Sequence, residues 1–563
     1  MKTRSFPARL CALTLAVALA APSAWPQVRL PALGESAGEE FSVSVERNLG
    51  EQIMREIRRD PDYLDDPPLL EYLQSVWQPL LKAARQRGEI STETERLLAW
   101  EAFLVRDRSV NAFALPGGFV GVHLGLIAVT SSSDELAAVL AHELTHITQR
   151  HIARGAVNAQ RTTLLSLAGL ILGVLAASKA GSPEATQAVV VGSQAAAVQG
   201  QLNYSRDMER EADRVGFGVL TEAGFAPSGM AGMFEKLEAA NRMNDNGSFP
   251  YLRSHPLTID RISEARARIA ISGSAPPADV LMHTLMAARA RVLMDSSSDG
   301  LRRQQQRLAG TAAGAAAPLA FNERLGALYG GALATSLLGD GAAAEAAVAK
   351  ALELLRGQGS PAAAERVFKQ LQAQLWLQRG EAARAAMLLD APLFQPATRS
   401  TLLLRAQAAV LQWSSASAAG LPPGCTLPPA AGQGAPSLAG CGQAGTAWQD
   451  LRNSTEALQS WVSTHAQDPL AWGLLGQLEE LQGQRLRSLR AQAEARAALG
   501  DITGAIDRLR AAQALVRSGA VNDFIEASVI DSRLRQLMAV HRQLAAELRG
   551  KFAPLAQGHP HAD

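Results

Sequence analysis

Three observations predict a mainly α-helical chain carrying one small β-sheet. Apolar residues recur at helical spacing through residues 41–86 and again from Leu136 to Ile147. The period changes between residues 100 and 128. There Ala102-Phe103-Leu104-Val105 and Gly118-Phe119-Val120-Gly121-Val122 read as short strands around Pro116-Gly117-Gly118 turn chemistry. From about residue 280 onward the chain is rich in Ala and Leu and reads as helices punctuated by turns.

At the start, Met1-Lys2-Thr3-Arg4 and Arg9 precede an apolar run from Leu10 to Ala21, and small residues follow. The run is too short to span a bilayer comfortably, so residues 1–24 read as a cleavable signal peptide, with an uncleaved anchor as the alternative. Export is the expectation. A length of 563 residues implies at least two domains. The formal charge is +1 with no basic stripe, which argues against a nucleic-acid partner. Beyond Cys11 the only cysteines are Cys425 and Cys441, inside a Gly/Pro/Ala-rich stretch at 420–446. In an oxidising compartment they can pair as one loop-closing disulfide; two free thiols are the alternative.

Leu49, Ile53 and Ile57, then Leu69, Leu70, Leu73, Val76, Leu80 and Leu81, predict two helices separated by Asp65-Asp66-Pro67-Pro68. The next helix carries the chemistry. Ser131-Ser132-Ser133-Asp134-Glu135 supplies an N-cap and an acidic first turn, and His142-Glu143-Leu144-Thr145-His146 follows as H-E-x-x-H. Two histidines four residues apart share one helix face and can grip one Zn²⁺, with Glu143 beside them as general base. A catalytic zinc keeps three protein ligands. Downstream, Glu209 and Asp213 are again four apart on one helix face. Glu209 would complete a His₂Glu set, and Asp213 could hold the far nitrogen of a ligand histidine. A charged, solvated helix face is the plainer meaning of that run.

These motifs, followed by Ser254-His255-Pro256-Leu257-Thr258-Ile259-Asp260-Arg261-Ile262 and preceded by Asn111 to Val122, resemble the HtpX and CAAX-prenyl-protease group of zinc peptidases. Within that group the sequence is most similar to the periplasmic BepA (YfgC) branch. The resemblance covers residues 40–270 closely and the helical remainder more loosely. It implies a gluzincin-like zinc metalloendopeptidase with one zinc per chain. His142, His146 and Glu209, rather than Glu211, would be the ligands, and Glu143 and Asp213 the catalytic residues. It implies that His255 approaches the metal, either as a fourth ligand that keeps the enzyme latent or as an oxyanion stabiliser. A lone loop histidine is otherwise an idle surface group, and His151 reads as structural. The small sheet would offer an edge to an extended substrate, or serve only as a hairpin.

Thr162 to Ser178 and Ala185 to Ala197 are uncharged and apolar. The stretch 162–197 reads as a buried helical hairpin or as a peripheral contact with a membrane. In the C-terminal half, Gly339-Asp340-x-x-x-Ala344 recurs as Gly380-Glu381-x-x-x-Ala385 and Gly500-Asp501-x-x-x-Ala505, and Trp472-x-x-Leu475-Gly476 adds a first-helix pattern. These predict a tetratricopeptide-like solenoid with irregular spacing, a non-repeat bundle being the alternative.

The expected organisation is a signal peptide at 1–24, a metallopeptidase domain at 40–275, and a tetratricopeptide-like domain at 280–550. The loop 420–446 interrupts the last, and residues 551–563 form a polar tail. The resemblance implies a periplasmic protease for unfolded or misassembled envelope proteins, with chaperone activity and contact to outer-membrane assembly machinery through the solenoid. A non-proteolytic holdase or assembly factor with a latent peptidase site is the second reading.

Overall fold

The computed structural model describes residues 42–158, 206–242, 250–272, 280–311, 319–359, 361–422, 425, 440–521 and 523–552. The expected signal peptide and all of 162–197 lie outside them, as does the tail beyond Phe552.

The first helices follow the predicted break: α1 spans Val43–Ile57 and α2 spans Pro67–Gln86. Asp66 caps α2 by accepting the Leu69 N–H at 3.1 Å, and Pro67 and Pro68 occupy the first turn, where no intrahelical donor is needed. A short α3 at Thr92–Leu97 leads to the sheet. β1 is Tyr63–Leu64, β2 Glu101–Val105, β3 Ala112–Leu115 and β4 Phe119–His123. Their order is β1-β2-β4-β3, with β2 parallel to β4 and the other pairs antiparallel. β3 is a strand that local period alone did not reveal. It is one edge of the sheet.

α4, Leu124–Val129, follows β4 directly, and α5, Ser133–Thr148, carries H-E-x-x-H. Ser132 caps α5 by accepting the Glu135 N–H at 3.3 Å, and Asp134 and Glu135 complement the positive helix end. Apolar residues surround the helix, so it is buried on nearly every side. It packs against α2, the β3–β4 hairpin, α7 (Arg206–Glu222) and α8 (Ser228–Arg242). Between α5 and α7 lies α6, His151–Asn158. Gly216 of α7 lets the two long helices touch: a Cβ there would sit 3.0 Å from Ala141 O and 3.2 Å from His142 N. α9 is Tyr251–Ser254 and α10 Ile259–Ser272.

The remaining helices run from α11 (Val280–Leu293) through α12 (Ser298–Gln306), α13 (Phe321–Leu337), α14 (Gly341–Gly357), α15 (Ala362–Gln378) and α16 (Ala382–Leu389). Then come α17 (Arg399–Ala418), α18 (Gly442–Thr464), α19 (Pro469–Leu481), α20 (Arg485–Ala498), α21 (Ile502–Arg517) and α22 (Phe524–Phe552). Sequential neighbours pack on each other, as in α13 on α14 and α21 on α22. The Gly-Asp turns have a physical basis. Gly339, Gly380 and Gly500 take φ of +94°, +78° and +78°, which ends one helix, and Asp340 and Asp501 then cap the next by accepting the Ala343 and Gly504 N–H.

One hydrophobic cluster takes residues from Val43 to Leu375, so α11 and α13 to α15 join the packing that holds α5. Cys425 and Cys441 are disulfide-bonded with Cα atoms 4.8 Å apart. α18 starts right after that bond, inside the stretch expected to be loop, because Ala444, Ala447 and Trp448 bury at helical spacing. Tertiary burial outweighs the local glycines. Among the described residues no helix is long and apolar enough to cross a membrane.

Candidate metal centre

Helix α5 presents His142 and His146 one turn apart, with their Nε2 atoms 3.0 Å from each other. Helix α7 brings Glu209 to the same point: Oε2 is 3.4 Å from His142 Nε2 and Oε1 is 3.6 Å from His146 Nε2. The loop after α9 supplies a fourth group. His255 Nδ1 is 3.0 Å from Glu209 Oε1 and 3.3 Å from His142 Nε2, and its Nε2 is 3.4 Å from Glu143 Oε1. One donor atom from each of His142, His146, Glu209 and His255 fits within 4.8 Å, and all four residues are buried. The structure therefore gathers every predicted ligand, and His255, at one place.

The groups behind the ligands are equally specific. Asp213 Oδ1 lies 3.0 Å from His142 Nδ1, on the far side of the ring from the cluster. Arg261 forks onto Asp213, with Nε donating to Oδ2 at 2.6 Å and Nη2 to Oδ1 at 2.9 Å. Its Nη1 donates to Pro256 O at 2.9 Å and lies 2.9 Å from Glu209 Oε2. Arg261 thus ties the His-Pro loop to α7. Tyr251 stacks on the His255 ring at 4.5 Å between centroids. Sequence reasoning assigned no role to Arg261 or Tyr251, although both flank His255 closely in the chain. His151, read as structural, touches His146 instead, with the two Nδ1 atoms 2.9 Å apart.

Electrostatics favour a cation here. Burial opposes a charged His142, yet Glu209 and Asp213 outweigh it and hold its imidazole up at about 10. Burial would raise Glu209, but the surrounding imidazoles drive its carboxyl well below the usual range. Burial pushes Glu143 up, partly offset by His255 and His142. Glu143 Oε1 accepts no hydrogen bond among the described residues, and Glu209 Oε2 lies 2.9 Å from the Arg261 guanidinium without an aligned donor. A buried carboxylate facing two imidazole nitrogens, with a second carboxyl beside it, is the donor set of a zinc site. The residues fit the metal.

Glu143 is also tied to the sheet. Its Oε2 accepts the Ala114 N–H at 3.0 Å. His123 N donates to Asn111 O, and the antiparallel register pairs Phe113 with Gly121, so alternation turns Ala112 and Ala114 toward the free edge. That edge faces the centre.

A family model, peptidase family M48, matches residues 71–269. The matched residues include every member of the cluster. This segment is therefore similar to the peptidases of family M48. The chain is 34% identical to a putative beta-barrel assembly-enhancing protease of Vibrio cholerae over 54% of this chain and 62% of that protein. It is 34% identical to the beta-barrel assembly-enhancing protease of Escherichia coli over 42% of this chain and 47% of the other. A Yersinia pestis protein of the same name is 28% identical over 91% of this chain and 92% of its own length. The chain thus spans about half to three-fifths of the length of the first two relatives.

Proposed function

We propose that this protein is a zinc-dependent endopeptidase of the cell envelope that cleaves unfolded or misassembled proteins, those of the outer membrane among them. The convergence of His142, His146 and Glu209 with Glu143 alongside carries this reading. The names of the Vibrio cholerae, Escherichia coli and Yersinia pestis relatives supply the link to barrel assembly. The predicted signal peptide and the Cys425–Cys441 bond support export to the oxidising periplasm. The helical region after residue 280 serves, in this proposal, as a tetratricopeptide-like module that recruits clients or assembly partners.

His142, His146 and Glu209 would hold one zinc ion, which supplies Lewis acidity to the scissile carbonyl and to the attacking water. The other steps belong to side chains of the chain. Glu143 accepts the proton of the attacking water and returns it to the leaving amine, a role suited to a carboxyl whose pKa burial has raised. Asp213, held by Arg261, fixes the His142 ring with Nε2 toward the centre. The outward backbone groups of Ala112 and the Ala114 C=O, with the Ala114 N–H held by Glu143, can pair with an extended substrate through backbone hydrogen bonds, which need no particular side chains.

His255 favours a second activity state. Its ring sits between Glu209, His142 and Glu143, where a substrate carbonyl would have to lie. We propose that it is a latency plug, which would let the protein act as a holdase or assembly factor while the peptidase is closed. The test is digestion of an unfolded model protein by the full mature chain beside Glu143→Gln and His255→Ala, with zinc content measured. Loss of cleavage in Glu143→Gln with zinc retained supports the peptidase. Zinc-loaded wild type and His255→Ala that both leave the model protein intact would sink it.

A further inference from the structure

Arg150 takes φ +52° in the turn between α5 and α6, a left-handed conformation that non-glycine residues rarely adopt. Arg150 Nε donates to the buried Glu46 Oε2 at 3.2 Å, which anchors the turn. The turn sets the buried His151 ring against the end of the metal-binding helix, with its Nδ1 2.9 Å from His146 Nδ1. On its other side His151 Nε2 lies 3.0 Å from Glu211 Oε2. Arg154 Nη1 in turn donates to that same oxygen at 2.7 Å.

One proton arrangement satisfies this chain if His146 offers its Nε2 lone pair to a metal. A neutral imidazole that is an acceptor at Nε2 carries its proton on Nδ1. His146 therefore donates from Nδ1 to His151 Nδ1. His151 must then hold its own proton on Nε2, which donates to Glu211. The carboxylate, fixed by Arg154, ends the series. We infer that His151, Glu211 and Arg154 are positioning residues that lock the tautomer and the ring angle of His146. They are the counterpart of Asp213 and Arg261 behind His142.

This assignment rests on the metal reading above, and it gives each acidic residue of Glu209-Arg210-Glu211-Ala212-Asp213 a separate task. Glu209 faces the metal, Asp213 backs one ligand histidine, and Glu211 backs the other through an intervening imidazole. Partners of this kind typically change metal affinity 10–100-fold, because an oriented ring with a hydrogen-bonded N–H is the better donor.

The experiment is a zinc dissociation constant by chelator competition on the full chain for wild type, His151→Ala and His151→Gln, with the thermal midpoint of each metal-free protein alongside. His151→Ala weakens zinc about 10–100-fold. His151→Gln stays within about threefold of wild type, because its amide oxygen can accept from His146 and its NH₂ can donate to Glu211. A residue that only filled space would lower the metal-free midpoint and leave zinc affinity alone. Wild-type affinity in His151→Ala, or equal losses for Ala and Gln, overturns the relay. Should His151→Ala fail to fold, Glu211→Ala replaces it, with about tenfold weaker zinc expected and wild-type affinity again overturning the proposal. A wild type that binds no zinc refutes the metal reading itself. A zinc-binding wild type with unaffected variants refutes only the relay.

Discussion

Glu143 has one oxygen on the Ala114 N–H and the other beside His255, so the proposed base is held between the β3 edge and the His-Pro loop. Replacing it with Gln keeps the shape and the hydrogen bond but removes the proton acceptor. Cleavage of an unfolded protein is expected to fall about 10²–10⁴-fold with zinc content unchanged, read by metal analysis on the same sample. His255→Ala is expected to act in the opposite direction. It clears the space between Glu209 and Glu143 and leaves the three proposed ligands in place, so basal proteolysis rises; equal or lower turnover would remove the plug. Asp213→Ala strands Arg261 and frees the His142 ring, and chelator competition is expected to show zinc about 10–100-fold weaker.

At the scale of one element, α19 buries a carboxyl that does not suit its surroundings. Glu479 is fully buried, its Oε1 accepts only a 3.2 Å bond from Gln459 and its Oε2 has no partner among the described residues. Burial pushes its pKa from 4.5 up to about 7. The folded helix thus keeps a proton that the unfolded chain releases, and stability falls as pH climbs from about 4.5 through about 7. Glu479→Gln is expected to gain about 3 kcal/mol over wild type at pH 8 and almost nothing at pH 4.5, read by urea unfolding at both. The α17–α18 pair shows the other side of element-level energetics. Its disulfide closes a segment with a sequence separation of 16, and reduction is expected to cost about 2–3 kcal/mol by loop entropy. Differential scanning calorimetry with and without reductant reads that loss.

Across the whole molecule, two arginines fasten the start of α2 to the C-terminal helices. Arg289 of α11 forks onto Asp66, with Nε and Nη2 donating at 2.7 and 2.8 Å. Arg399 of α17 bridges Asp65 and Asp468, with four donated bonds of 2.7 to 2.8 Å. Removing Arg399 leaves two largely buried carboxylates facing each other without a cation. Arg399→Ala is expected to cost about 3 kcal/mol in urea unfolding. Arg399→Lys recovers only part of it, since an ammonium cannot fork onto two carboxylates. If both variants unfold like wild type, the clamp contributes nothing and the continuous core alone joins the two halves.

Much of this protein is local in origin. Two histidines four apart on a capped helix share a face whatever surrounds them, and so do Glu209 and Asp213; helical geometry alone makes H-E-x-x-H and the downstream pair legible. Gly-Asp turns are local in the same way, because a left-handed glycine and a capping aspartate act within one turn. Other features depend on which surfaces meet. That His151 backs His146, that Glu211 answers His151, and that Arg261 grips both Asp213 and the His-Pro loop follow from the approach of α7 to α5 at Gly216 and from the strained turn at Arg150. Arg399 reaches Asp65 across a sequence separation of 334. No periodicity records such a contact, since it is selected by burial and shape across the whole core. The spacing of residues wrote the ligands; the packing of helices supplied what orients them and what covers them.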